Sequence, residues 1–411
     1  MSPRCDALPS GLRVVLVPCE AESVAAGVFV ESGSRHEDER LSGISHFIEH
    51  MLFKGTVKRR PVDITRAIEG RGGNFNACTG EESTCYFVHL PSEYLAEAVD
   101  ILADMYLNAT VPDDEFAREK EVIIEEIRMY ADDPGAVAAE NLQRNLFPDS
   151  RLGAPVAGSE ASLRPLTPGD LRRYVKSHYR ADNTVVVLAG AMDPDRALAV
   201  VAKAFAPLGR RSRSRGRVRA VSSGSGRVVA AETVRKDVQQ AQLAVGWRTF
   251  GLEDTRRYAA TVIDGILGRG MSSRLFQEVR EKRGLSYDIA SRMQFFQDAG
   301  MFTVAAGIDV AKREKVLALV EREVARLCER GTSATELRRT KEFLCGNFRL
   351  GHEKVVSKMF FYGAMMLAYG RPVSTAEQIA GVMAVTAEDV RQTAKAIFRR
   401  ANRSVSWVLP R

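Results

Sequence analysis

Two long stretches of the chain carry the same helical pattern, and that repetition constrains the fold more than any other feature. SEYLAEAVDILADMYLNATVPDDEFAREKEVIIEEI spans 92–127, and VAKREKVLALVEREVARLCERGTSATELRRTKEFLCGNF spans 310–348. Each reads as a long amphipathic helix, a short break and a second helix with an acidic start. Setting Glu115 against Glu336 brings their apolar positions into step. Strand-like alternation precedes both, at Leu12–Val30 and Val228–Trp247. A pattern that recurs at this distance predicts a duplicated domain. The alternating strands favour an antiparallel-rich sheet, so the expected class is α+β: two homologous domains, each with helices packed on one face of its sheet.

The boundary between the copies shows in the charge. Arg210, Arg211, Arg213, Arg215, Arg217 and Arg219 are followed by SSGSG at 222–226. These arginines supply six of the seven net positive charges, so the rest of the chain is close to neutral. No aromatic residue is interleaved to stack on bases, which points to a solvated linker and away from a nucleic-acid partner. The expected division is 1–212, a linker at 213–226, and 227–411. Two large domains suit 411 residues at ~150 or more apiece.

Other classes drop out quickly. The apolar run Val185 to Met192 is far short of the ~20 residues a membrane-spanning helix needs. The opening MSPRCDALPSGLRVVLVP lacks a basic region followed by a long apolar core, so no signal peptide is expected, and its alternation predicts the first strand. The cysteines, Cys5, Cys19, Cys78, Cys85, Cys328 and Cys345, form no CxxC pair and are too sparse for a disulfide framework. A reducing interior follows, with a bacterial cytoplasm favoured over a mitochondrial matrix.

The chemistry concentrates in His46-Phe47-Ile48-Glu49-His50. At 3.6 residues per turn, Ile44, Phe47, Ile48, Met51 and Leu52 form one apolar stripe, with His46, Glu49 and His50 on the opposite side. Two imidazoles at i and i+4 can share one metal ion, and Glu49 beside them can take a proton from water. This is the HxxEH order, the reverse of HExxH. A catalytic zinc takes a third protein ligand, and the predicted helix 113–130 offers Glu119 or Glu126. These two lie within ~20° of each other on the helical wheel. Val122 and Ile123 between them imply that this stripe faces inward, while Glu121, Glu125 and Arg128 take the outer face. The wheel does not choose between the two carboxylates.

HFIEHMLFKGT at 46–56, GGNFNACTGEESTCY at 72–86 and REKEVIIEEI at 118–127 together resemble the pitrilysin/insulinase zinc peptidases. The likeness is closest to the mitochondrial processing peptidase and its bacterial relatives, and it covers nearly the whole chain. The resemblance implies one Zn2+ per chain on His46, His50 and Glu126, with Glu49 as general base and Glu119 supporting the site without touching the metal. It also implies that Asn76 and Ala77 pair with the backbone of a peptide bound as an added strand. In the second half, Arg280-Glu-Lys-Arg-Gly-Leu-Ser-Tyr287 resembles an arginine and tyrosine that reach substrate carbonyls. Ala259 to Asp264 stand where a duplicated motif would need histidines, so one half is expected to bind metal and the other to help hold substrate.

The expected protein is therefore a zinc metalloendopeptidase for extended, unfolded peptides or presequence-like segments, acting as a homodimer with neither nucleic-acid nor membrane partners. The rival is a non-catalytic scaffold of the same fold, and the presence of His46, Glu49, His50 and Glu126 argues against it. Gly268-Arg-Gly270 lacks the further glycine or lysine of a nucleotide loop. His36, His89, His178 and His352 have no partner at ligand spacing and are expected to be structural. Cys78 and Cys85 flank a probable hairpin with nothing in the sequence to activate either thiol.

Overall fold

The computed structural model describes residues 3–209, 221 and 227–411. Apart from Val221, the expected linker 213–226 lies outside the described residues, as does the whole arginine run. The first half contains β1 (Arg4–Ala7), β2 (Arg13–Pro18), β3 (Ser23–Val30), α1 (Ile44–Leu52), α2 (Pro61–Glu69), β4 (Asn74–Thr79), β5 (Thr84–Pro91), α3 (Leu95–Asn108), α4 (Asp113–Asp132), α5 (Pro134–Leu146), α6 (Glu160–Leu163), α7 (Pro168–His178), β6 (Thr184–Gly190) and α8 (Pro194–Ala204). The second contains β7 (Ala231–Lys236), β8 (Ala241–Phe250), α9 (Arg257–Leu267), β9 (Ser286–Phe295), β10 (Ala299–Ile308), α10 (Arg313–Arg330), α11 (Ala334–Gly351), α12 (Val355–Tyr369), α13 (Thr375–Ala384), α14 (Ala387–Ile397) and β11 (Arg403–Pro410).

The duplication is visible in the sheets. The strand orders are β1-β2-β6-β3-β5-β4 and β7-β11-β8-β10-β9. From β2 onward the two orders correspond strand for strand. Each sheet has one parallel pair, β2–β6 and β7–β11, and its other pairs are antiparallel. Both units are thus α+β with antiparallel-rich sheets, as expected.

One expectation needs correcting: helices cover both faces of the first sheet. The apolar run that is too short for a membrane is the central strand β6, buried along its whole length. Val186 and Leu188 join the core beneath α1 and α3, while Val185, Val187 and Ala189 pack under Met359 and Tyr362 of α12. A continuously apolar strand, unlike an alternating one, needs a partner layer on each side.

That second layer comes from the other half of the chain. One compact unit collects residues up to Ile127, those from Ala154 through α8, and Arg349–Ser374, which include α12. The other collects Arg128–Gly153, which include α5, with β7 through Phe348 and Thr375–Arg411. In the second unit α5 buries Ala138, Leu142 and Leu146 against Ala244, Met301 and Val408. The compact units therefore differ from the linear division 1–212 and 227–411 by the exchange of one helix each way.

The contact under α12 is close. A Cβ on Gly363 would meet the Phe29 ring at 2.4–2.6 Å. Gly363→Ala gains ~1 kcal/mol of helix propensity, but at such close contact it overpacks a rigid aromatic at the upper end of the usual cost, ~2–3 kcal/mol. The expected net result is a loss of about 1–2 kcal/mol, read as a lower urea midpoint, with Phe29→Leu in the same chain restoring part of it. An unchanged or higher midpoint for Gly363→Ala would refute this account of the layer.

Candidate metal centre

α1 starts where Gly43 adopts φ 91°, and a Cβ there would lie 2.5 Å from the Ala157 carbonyl oxygen. The buried Glu37 carboxylate accepts from the Gly43 N–H at 2.7 Å and the Ser45 N–H at 2.8 Å. It thus satisfies donors at the helix start and opposes the positive end of the helix dipole. Ile44, Phe47, Ile48 and Met51 are 0% exposed and Leu52 is 1% exposed, so the predicted apolar stripe is the buried face. His46, Glu49 and His50 lie on the other side, each half-buried.

Phe47 stacks on Phe116 of α4, ring centroids 4.6 Å apart and planes 11° from parallel. This contact brings α4 alongside α1. The inward sector of α4 runs through Phe116, Glu119, Ile123 and Ile124, whereas Val122 is 47% exposed. Val122 was expected to face inward, and the expectation fails because the buried sector centres on the Phe116–Ile123 side of the wheel. That offset leaves Glu126 at the rim, with its side chain 26% exposed against 8% for Glu119.

The two carboxylates consequently meet different partners. Glu126 Oε2 lies 3.5 Å from His50 Nε2 and 3.9 Å from His46 Nε2. Among the described residues, His46, His50 and Glu126 are the one group of three such side chains whose donor atoms all lie within 4.8 Å of one another. Glu119 faces the other ring nitrogen: its Oε2 is 3.1 Å from His50 Nδ1, and its Oε1 accepts from Lys54 Nζ at 2.5 Å. Glu119 thus reaches one ring nitrogen of His50 and Glu126 the other. Burial, followed by the neighbouring His50, lowers the His46 pKa to about 4, so its imidazole is neutral at pH 7. The Nε2 atoms of both imidazoles thus lie near one carboxylate oxygen.

Glu49 accepts from the Thr79 hydroxyl on β4. Burial pushes its carboxyl pKa up and Glu126 adds to the rise, against the opposing effects of the Thr79 bond and His50. Asn76 and Ala77 lie on β4, the edge strand of the first sheet, where the Ala77 N–H donates to Asn76 Oδ1 at 2.8 Å. Arg280 and Tyr287 belong to the second unit and meet there. The guanidinium carbon lies 4.6 Å from the Tyr287 ring centroid and 4.8 Å from that of Phe276, and Tyr287 is 82% exposed. α9, at the position of α1 in the second unit, has no histidine, and its buried Asp264 accepts from Ser291 Oγ at 2.6 Å.

The remaining histidines have other company. His36 Nδ1 accepts from the Gly33 N–H, and His89 Nε2 lies 2.9 Å from Ser23 Oγ. His178 stacks on Tyr174, and His352 meets the Phe361 ring edge-on. Sequence reasoning missed Thr79, Lys54 and Glu37. Thr79 and Lys54 fall inside the quoted motifs, but nothing local announces what they touch.

The first half, residues 13–160, matches the family described as Insulinase (Peptidase family M16), and residues 165–344 match the Peptidase M16 inactive domain. An uncharacterized zinc protease of Streptomyces coelicolor is 35% identical over 401 residues, 97% of this chain and 87% of its own length. This chain belongs to peptidase family M16. An uncharacterized zinc protease of Bacillus subtilis is also similar, at 33% identity over 95% of this M16 chain and 94% of its own. A protease from Helicobacter pylori has the same fold, with a TM-score of 0.93 at 20% identity, covering 100% of this chain and 99% of that one. The M16 region described as an inactive domain includes α9, which has no histidine.

The His46 environment yields a pH prediction for the metal-free protein. Its pKa is about 4 in the fold against an ordinary 6.5, so between these values the unfolded chain binds the extra proton and the native chain does not. Stability should therefore fall as pH drops through that window, by at most about 3 kcal/mol from this one group. Urea titrations with chelator present, at pH 7 and pH 4.5, should show a smaller loss in His46→Gln than in the parent. Equal losses would show that His46 is not held neutral by burial.

Proposed function

We propose that this M16 chain is a zinc-dependent endopeptidase acting on extended, unfolded peptide segments. The observation that carries the reading is the convergence of His46, His50 and Glu126 donor atoms beside Glu49. Tetrahedral zinc with bonds of ~2.0–2.1 Å needs donors about 3.3–3.5 Å apart. The spacings of 3.5 and 3.9 Å on Glu126 Oε2 are close to that. One zinc per chain fits this donor set. When bound, it supplies Lewis acidity toward the scissile carbonyl and lowers the pKa of water at the site.

The chain's own residues do the rest. Glu49, with its pKa raised by burial, takes the proton of the attacking water and returns it to the leaving amine. Glu119, braced by Lys54, holds His50 in the tautomer that leaves Nε2 free. The substrate adds as a strand along β4, its carbonyl replacing Asn76 Oδ1 at the Ala77 N–H. Arg280 and Tyr287 donate hydrogen bonds to substrate carbonyls. We infer a homodimer in a bacterial cytoplasm, with presequence-like segments among its substrates. The bacterial relatives and the reading of one chain as carrying both sets of residues support this. The presence of the whole donor set argues against the scaffold alternative.

Glu49→Gln should keep full zinc occupancy and abolish hydrolysis of a fluorogenic peptide, since an amide cannot accept the proton. Glu126→Gln should lose zinc outright, and Glu119→Gln should weaken binding by ~10–100-fold. Elemental analysis and chelator competition read both; retention of zinc by Glu126→Gln with loss in Glu119→Gln would reverse the two roles. Arg280→Ala and Tyr287→Phe should leave zinc content unchanged and slow turnover by at most ~10²–10³. Wild-type kinetics in both would remove the second unit from substrate contact.

A further inference from the structure

The hairpin that carries Asn76, Ala77 and Thr79 also holds two thiols for which the proposed hydrolysis has no use. Cys78 on β4 and Cys85 on β5 are register partners in the antiparallel pair. Residues directly opposite in such a pair project to the same face, with Cα atoms ~4.5–5.5 Å apart. That separation lies inside the ~4.4–6.8 Å range a disulfide spans. The two thiols are near enough to shift each other's ionisation. Their surroundings differ: Cys78 is exposed on the sheet edge, while Cys85 is 3% exposed among Phe29, Phe87 and Met359. None of Cys5, Cys19, Cys328 or Cys345 is a register partner of another cysteine.

We propose that Cys78 and Cys85 are a peroxide-sensitive modification site, forming a reversible cross-strand disulfide that pins edge strand β4 to β5. The asymmetry assigns the roles. The accessible Cys78 sulfur attacks the peroxide O–O bond, becoming a sulfenic acid and releasing one water. Cys85 sulfur then attacks the Cys78 sulfur, the S–S bond forms, and the hydroxyl leaves with the Cys85 proton as a second water. Hydrogen peroxide is the two-electron oxidant, and a dithiol reverses the step by exchange. The neighbouring Cys85 thiol lowers the pKa of Cys78, whereas burial raises that of Cys85 well above its ordinary value. The exposed thiol is therefore the one that reacts first.

The reaction can be followed without any peptidase assay, so its failure and the failure of the proposed activity are separable. The full chain is treated with stoichiometric hydrogen peroxide under native conditions, alkylated and mapped without reduction. The expected result is a mass loss of about 2 Da, a linked peptide joining 78 to 85, and full reversal by dithiothreitol. Cys85→Ser should instead leave Cys78 as a sulfenic acid trapped by dimedone, and Cys78→Ser should leave Cys85 unmodified. In the oxidised chain, amides of β4 should exchange with deuterium roughly tenfold or more slowly. Sulfinic acid on Cys78 of the parent chain without a linked peptide, or the same mass loss in Cys78→Ser, would overturn the site. A linked peptide with unchanged exchange in β4 would overturn the pinning.

Discussion

Burial of Ile44, Phe47, Ile48, Met51 and Leu52 fixes the roll of α1 about its axis, and the candidate centre depends on that roll. At roughly 1.5–3 kcal/mol for each large apolar side chain, turning the helix by even one residue would expose several at once. The imidazoles point away from the core because the stripe points into it. Phe47 extends the constraint to a second helix by stacking on Phe116, which brings Glu119 and Glu126 of α4 to the imidazoles. Glu37 completes the frame by capping the start of α1 from a preceding segment.

On this frame the polar groups sort themselves by which nitrogen they reach. Lys54 and His50 Nδ1 converge on Glu119, while both Nε2 atoms lie near Glu126. One carboxylate therefore has a lysine and one His50 nitrogen as partners, and the other has an Nε2 atom of each imidazole. Burial keeps His46 neutral and raises the pKa of Glu49, which disposes one group to donate electrons and makes the other a stronger proton acceptor. The same local desolvation produces both properties.

The rest of the fold serves to cover the sheets. Their strands correspond in order and in the position of the parallel pair, and each unit takes one helix from the other half of the sequence. The exchange answers a simple need. Strands such as β6, apolar on both faces, cannot leave one side to water, and α12 closes that side of the first sheet.

The sequence alone determined the duplication, the α+β class and the helix that presents His46, Glu49 and His50 opposite an apolar stripe. Each of these is a local periodicity, and period 2 or 3.6 survives in a string of letters. The single wheel also narrowed the carboxylates to Glu119 and Glu126, but ~20° within one helix says nothing about the neighbour it meets. Only the packing of α4 on α1 decided which oxygen lies beside both Nε2 atoms, and it moved Val122 to the outside. Thr79 on Glu49, Lys54 on Glu119 and Glu37 on the helix start are long-range contacts with no periodic trace in the sequence. The exchange of α5 and α12 is of the same kind, because an amphipathic pattern records that a face is buried and not which sheet buries it.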